Sequence, residues 1–137
     1  MPPASRSRGD AWAKASGAAR YVGDMSLPGM LHVALVRSLV PHARIVGIDT
    51  KQAAAAAGVA GVFTAADVNP APYGRSVRDV PILARDKVRF TGERVAAVVA
   101  ESRRAAEAAA ALVEVTYDDL PAALSAEQAI LPDAPAV

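Results

Sequence analysis

The chain has 137 residues and 14.1 kDa, enough for one domain and too little for two ordinary ones. Hydrophobic residues reach 53%, but much of that is alanine, and with two Phe, one Trp and three Tyr the interior must be built from Val, Ile, Leu and close-packed Ala. The formal net charge of +1 gives no field that draws nucleic acid or an acidic membrane. The absence of Cys excludes disulfides, thiolate chemistry and Cys-held metal clusters on this chain.

Residues 1–29 read as an irregular arm, punctuated by Gly9, Gly17, Gly23, Pro28 and Gly29, with no sustained apolar period. Strands then begin. Leu31, Val33 and Leu35 alternate with His32, Ala34 and Val36, and Ala43 to Ile48 reads as a second strand antiparallel to the first. A short alanine-rich helix over Thr50 to Ala57 follows, capped by Asp49 or Thr50 and stopped by Gly58. Val59 to Phe63 is a third strand, and Thr64 to Asp67 suits a single helical turn.

Residues 68–86, with Pro70, Pro72, Gly74 and Pro81, read as a long loop without structure of its own. Lys87 to Phe90 is the next strand. Arg94 to Ala100 is another, and its unbroken apolar run predicts burial on both faces and a central place in a sheet. Ser102 caps a helix to about Ala111, with Ala105, Ala108, Ala109 and Leu112 on one face. Val113, Val115 and Tyr117 mark a last strand, and Ser125-x-x-Gln128 opens a short helix over Ala126–Leu131. Residues 132–137 read as the start of a linker or tail. The order strand, strand, helix, strand occurs twice, at about 30–63 and 87–117. This predicts an α/β (α+β) fold in which two short alanine-rich helices lie on a mixed sheet, over residues 30–131.

No catalytic constellation emerges. Phosphate-binding glycine loops and a GxSxG nucleophile elbow are absent from the sequence. His32 and His42 would approach each other if the first two strands formed a hairpin, and a metal site there would still need a ligand such as Asp49. Ordinary hydrogen-bonded histidines are the better account. Asp118 and Asp119 are neighbours on a strand end and point apart, which suits a solvated turn. Arg8-Gly9-Asp10 carries too little information to mark an adhesion site, and Arg103 and Arg104 beside Glu101 and Glu107 read as a solvated helix face. Arg6, Arg8, Lys14 and Arg20 make the arm mildly basic, without an aromatic platform for nucleic acid. Trp12, Tyr21 and Met25 are the candidate docking residues of an arm with no period of its own. The first strand could hold Tyr21 and Met25 within the domain, Trp12 lies too far upstream for evident local burial, and a terminus that contacts nothing is the alternative.

Four ordered stretches carry a family resemblance. The arm from Arg8-Gly9-Asp10 through Lys14, Ser16-Gly17 and Tyr21 to Asp24 is similar to an R-x-D…K-x-[ST]-G-x-A-x-Y-x-x-D opening. Leu27 to Ser38 looks like the strand that follows, and Pro41-His42-Ala43-Arg44-Ile45 matches a P-H-A-[RK]-I turn. Gly92 to Glu101, Ala105 to Val115 and Tyr117-Asp118-Asp119-Leu120-Pro121 resemble a closing strand–helix–strand. Together they resemble the N-terminal α/β-hammerhead domain of the molybdenum hydroxylase large chain, the family of xanthine dehydrogenase, aldehyde oxidase and carbon monoxide dehydrogenase. Leu39 departs from the family, which commonly has Pro there.

The resemblance covers about residues 8–135. It implies that the residues holding molybdopterin and the catalytic glutamate lie in later domains. No catalytic, cofactor or metal residue therefore carries over to this chain, and molybdopterin, iron–sulfur clusters and FAD are expected in partner chains. The implied role is a non-catalytic module or separate subunit of a cytoplasmic molybdenum-dependent oxidoreductase. Its partner is the molybdopterin-binding chain, with self-association when alone and no nucleic-acid or membrane partner. A stand-alone hammerhead-fold binding protein without enzyme activity is the alternative, and an excised or truncated chain is a third.

Overall fold

A computed structural model describes residues 9–68 and 72–135. The chain divides into two units, Met1–Met30 and Leu31–Val137. In the first, a short helix α1 (Ala11–Ala15) is followed by a 3-10 turn at Val22–Asp24. The expectation of an irregular arm therefore needs correction. Lys14 pairs with Asp10 one turn away at 2.5 Å, and the Tyr21 amide donates to Asp24 Oδ2 at 2.9 Å. Residues 1–8 of the predicted arm, with Arg6 and Arg8, lie outside the described residues, as does the end of the predicted tail.

The second unit contains β1 (His32–Arg37), β2 (Ala43–Asp49), α2 (Lys51–Ala54), β3 (Val59–Thr64), β4 (Lys87–Val88), β5 (Arg94–Ala100), α3 (Arg103–Ala110), β6 (Glu114–Asp119) and α4 (Ala126–Ala129). The α/β class holds. The single mixed sheet does not: the strands form two antiparallel sheets, β1-β5-β3 and β4-β2-β6. Each half of the chain supplies the two flanking strands of one sheet and the central strand of the other. The repeated strand–strand–helix–strand order is thus realised as two interlocked halves.

The predicted β1–β2 hairpin is absent because the connection between them is tied elsewhere. Ser38 donates its amide to Glu93 O at 2.8 Å and accepts from the Gly92 amide at 2.8 Å, while its buried hydroxyl bonds Val40. These bonds hold residues 37–40 against the β4–β5 turn, and the chain crosses into the second sheet.

Two apolar clusters follow from the pairing. Helix α3 lays Ala106 and Ala109, both buried, against Ala96, Val98 and Ala100 of β5, which are also buried. Small side chains on both partners allow this close approach. Ser102 caps the helix, accepting from the Ala105 amide at 3.2 Å. The predicted inner face is partly corrected: Ala109 faces inward, but Ala108 and Leu112 are exposed and Ala106 takes the second inner place.

The other cluster joins Ala43, Ala84, Val88 and Val95, with Val40, Ile45, Ile48, Val115 and Tyr117 packed around it. Ile45 and Ile48 are three apart, which a regular strand would send to opposite faces. A register shift between Ile45 and Gly47 places them opposite Tyr117 and Val115, so both reach the core.

Residues 72–86 are more ordered than a structureless loop, which corrects that expectation. Tyr73 and Val80 exchange backbone bonds of 2.9 and 3.0 Å, and a Cβ at Gly74 would overlap the Val77 carbonyl within that turn. Leu83 and Ala84 are buried, and the Ala84 amide donates to Arg94 O at 2.7 Å.

Candidate docking surfaces

His42 and Glu93 both make bonds that tie distant or turning segments together. His42 is buried. Its Nδ1 lies 2.7 Å from Pro121 O, so Nδ1–H donates there and Nε2 is left to accept from Lys87 Nζ at 3.5 Å. This joins the Pro41–Ile45 turn to the Tyr117–Pro121 stretch, two of the segments that carry the family resemblance. His32 stands on β1, in the other sheet, so the conditional histidine pair is not formed. Buried Glu93 accepts from the Arg89 amide at 2.5 Å and from Arg89 Nη1 at 3.3 Å, closing the β4–β5 turn. Asp118 stands opposite Arg44 at the end of β6, on the solvated side.

Two carboxyls lie below the usual acid range, both for local reasons. Asp67 is held down by the Thr64 amide and then by the Thr64 hydroxyl, which donate to Oδ2 at 2.7 and 2.9 Å. Glu127 is held down by its own amide and the Ser125 hydroxyl at the start of α4. Both shifts belong to turn and helix-end geometry.

The three docking candidates are exposed: Trp12 by 82%, Tyr21 by 58% and Met25 by 55%. Trp12 stands on α1, while Tyr21 and Met25 flank the 3-10 turn. On the second unit, an open groove of about 480 Å³ runs between β1, the end of α3 and β6, lined by Leu35, Val36, Leu39, Val113 and Tyr117 among others.

Sequence reasoning missed a larger feature, the outer face of the β1-β5-β3 sheet. The pairs Val33–Val99, Leu35–Ala97, Gly61–Val99 and Phe63–Ala97 put these six residues on one face. Val33 is 61% exposed and Phe63 40%. The expected central place of β5 holds, but its predicted burial on both faces does not: Ala97 and Val99 on the outer side are only half-buried. The signal was present in the period-two run Leu31, Val33, Leu35 beside a strand with no polar face.

Comparison with known proteins matches this architecture. The family profile described as the a/b hammerhead domain of aldehyde oxidase and xanthine dehydrogenase matches residues 16–121. A probable xanthine dehydrogenase component of Bacillus subtilis is 41% identical over 131 residues, covering 95% of this chain and 18% of its own. The carbon monoxide dehydrogenase large chain of Afipia carboxidovorans is 46% identical over 123 residues, covering 87% of this chain and 15% of its own. The structure of quinoline 2-oxidoreductase from Pseudomonas putida 86 superposes with a TM-score of 0.83 at 41% identity, over 96% of this chain and 18% of that one. The chain thus spans less than a fifth of the length of these relatives.

Proposed function

The chain belongs to the a/b hammerhead family of aldehyde oxidase and xanthine dehydrogenase, and from that premise we propose that it is a non-catalytic structural module of a molybdenum hydroxylase. As a separate subunit or a domain, it completes the large chain by docking to the molybdopterin-binding domains. Those domains hold the molybdopterin, and iron–sulfur clusters and FAD reside elsewhere in a cytoplasmic assembly. The observation that carries this reading is one of proportion: 95% and 87% of this chain align with 18% and 15% of the Bacillus subtilis and Afipia carboxidovorans relatives.

This reading assigns no residue of the chain to a molybdenum or molybdopterin site. Among the described residues, no three His, Asp or Glu side chains gather as a ligand set, and no buried side-chain nitrogen or oxygen lacks a hydrogen-bond partner. An orphaned buried polar group is what a cofactor cradle leaves behind when the cofactor is absent. No chemical step is therefore assigned to this chain.

The arm is the first docking element in this reading, with Trp12, Tyr21 and Met25 as its apolar contacts. Without a partner, the same residues favour self-association. Deleting residues 1–20 is expected to leave the second unit folded while weakening co-purification with a molybdopterin-bearing chain. Unchanged association would remove the arm from the interface. Elemental analysis of the chain made alone in a cofactor-competent host is expected to find no stoichiometric molybdenum, and finding it would overturn the non-catalytic reading.

A further inference from the structure

We propose that the outer face of the β1-β5-β3 sheet is a docking platform for the remainder of a molybdenum hydroxylase large chain, with an uncharged, apolar surface as its occupant. This rests on the docking role above and names a surface for it on the second unit.

The two sheets of one small domain make the comparison. An antiparallel sheet with one wet face alternates apolar-in and polar-out. The β4-β2-β6 sheet largely obeys: Val115 and Tyr117 turn to the core while Glu114, Thr116 and Asp118 face outward, with Arg44 opposite Asp118, and exposed Val46 at the β2 register shift is an apolar exception. The β1-β5-β3 sheet does not. Its inner face is filled by Ala96, Val98 and Ala100 under α3, yet its outer face is also apolar over Val33, Leu35, Phe63, Ala97 and Val99, with Arg37 following in the exposed alternation only at the end of β1. A strand that is apolar on both sides is the signature of a sheet covered on both sides. Helix α3 supplies one cover.

The Phe63 ring leans over Gly61 on this face. A Cβ at Gly61 would lie 3.1 Å from the Phe63 ring, so the ring lies along the strand over a residue that has no side chain. Gly61 makes this possible, and the ring adds partly exposed apolar surface to that face.

The relatives identify the occupant. They carry more than four-fifths of their length outside the part matched by this chain, and that polypeptide is the surface available to cover the face. A face whose one flanking charge is Arg37 at the end of β1 offers no basic patch to nucleic acid or to an anionic membrane.

The test co-expresses this chain with the Afipia carboxidovorans carbon monoxide dehydrogenase large chain from which the matching segment has been removed. Val33→Glu places a carboxylate on the platform at an exposed position. It is expected to cut co-purification by about tenfold or more, since docking would bury an unpaired charge. The isolated variant should keep the wild-type circular dichroism. Thr116→Glu, on the outward face of the other sheet, is expected to leave association unchanged.

Because the chain has no cysteine, Val33→Cys supplies a single thiol with little change in volume. Its maleimide labelling should be fast in the isolated chain and about tenfold or more slower in the complex, where the platform is covered. This readout stands even if the glutamate variant fails to fold. Wild-type-like association of a folded Val33→Glu, or equal labelling free and bound, would overturn the platform while leaving the docking role intact. Absence of association by the wild-type chain would overturn both. A wild-type dimer in sedimentation that Val33→Glu dissociates would make the occupant a second copy and refute the proposal.

Discussion

Ala109→Leu tests the contact on which the first apolar cluster depends. Ala109 and Ala106 are each 1% exposed, facing β5 side chains that are fully buried. The replacement adds three carbons where no void is available to receive them, forcing α3 away from the sheet or the new side chain out of a favoured rotamer. Overpacking of this kind costs about 1–3 kcal/mol. For a domain of this size that corresponds to a fall in Tm of roughly 4–12 °C. Ala108→Leu is the matched comparison, because Ala108 is exposed on the same helix, and its effect should stay within about 0.5 kcal/mol. Thermal and urea unfolding of both variants, followed by circular dichroism, decide the matter. An unchanged or raised midpoint for Ala109→Leu, or a larger loss for Ala108→Leu, would refute the helix register and with it the identity of the covered sheet face.

His42→Ala removes the donor to Pro121 O and leaves that carbonyl without its side-chain partner; a loss of about 1–3 kcal/mol is expected in urea unfolding. Ser102→Ala deletes the α3 cap and should cost about 1 kcal/mol, measured the same way. Asp67 has its carboxyl held below the usual range by the Thr64 amide and hydroxyl. The unfolded chain therefore takes up this proton more readily. The contribution is complete above the unfolded aspartate value and is lost as pH falls through the lowered folded value. Asp67→Asn should accordingly give a flatter dependence of midpoint on pH on the acid side, and an unchanged curve would remove Asp67 from the acid response.

Local order was legible in the sequence because its signals are local. Ser102 before an alanine run, Gly58 at φ +76° after the short helix and Ser125 with Gln128 all sit where capping chemistry places them. The central place of β5 was legible from its apolar run. Sheet membership was not, since it depends on contacts distant in sequence: the bonds from Ser38 to Gly92 and Glu93 decide that β1 and β2 part company. The inward face of α3 was missed by one position because a helix made almost wholly of alanine has little hydrophobic contrast to orient it. The outer sheet face was missed for a related reason. The sequence of β5 states that both faces want cover, and it does not say that the domain covers only one.

The central claim, that this chain is a structural module without catalytic residues, is tested most directly by a chimera. Its sequence replaces the matching segment of the Afipia carboxidovorans carbon monoxide dehydrogenase large chain, and molybdenum content and carbon monoxide oxidation are measured in the assembled enzyme. A structural module predicts full molybdenum occupancy and turnover within about tenfold of the parent, a change of roughly 1.4 kcal/mol in the barrier. An assembled, molybdenum-replete chimera that does not turn over, or that accepts a different substrate, would contradict the account by placing chemistry or selectivity in this segment.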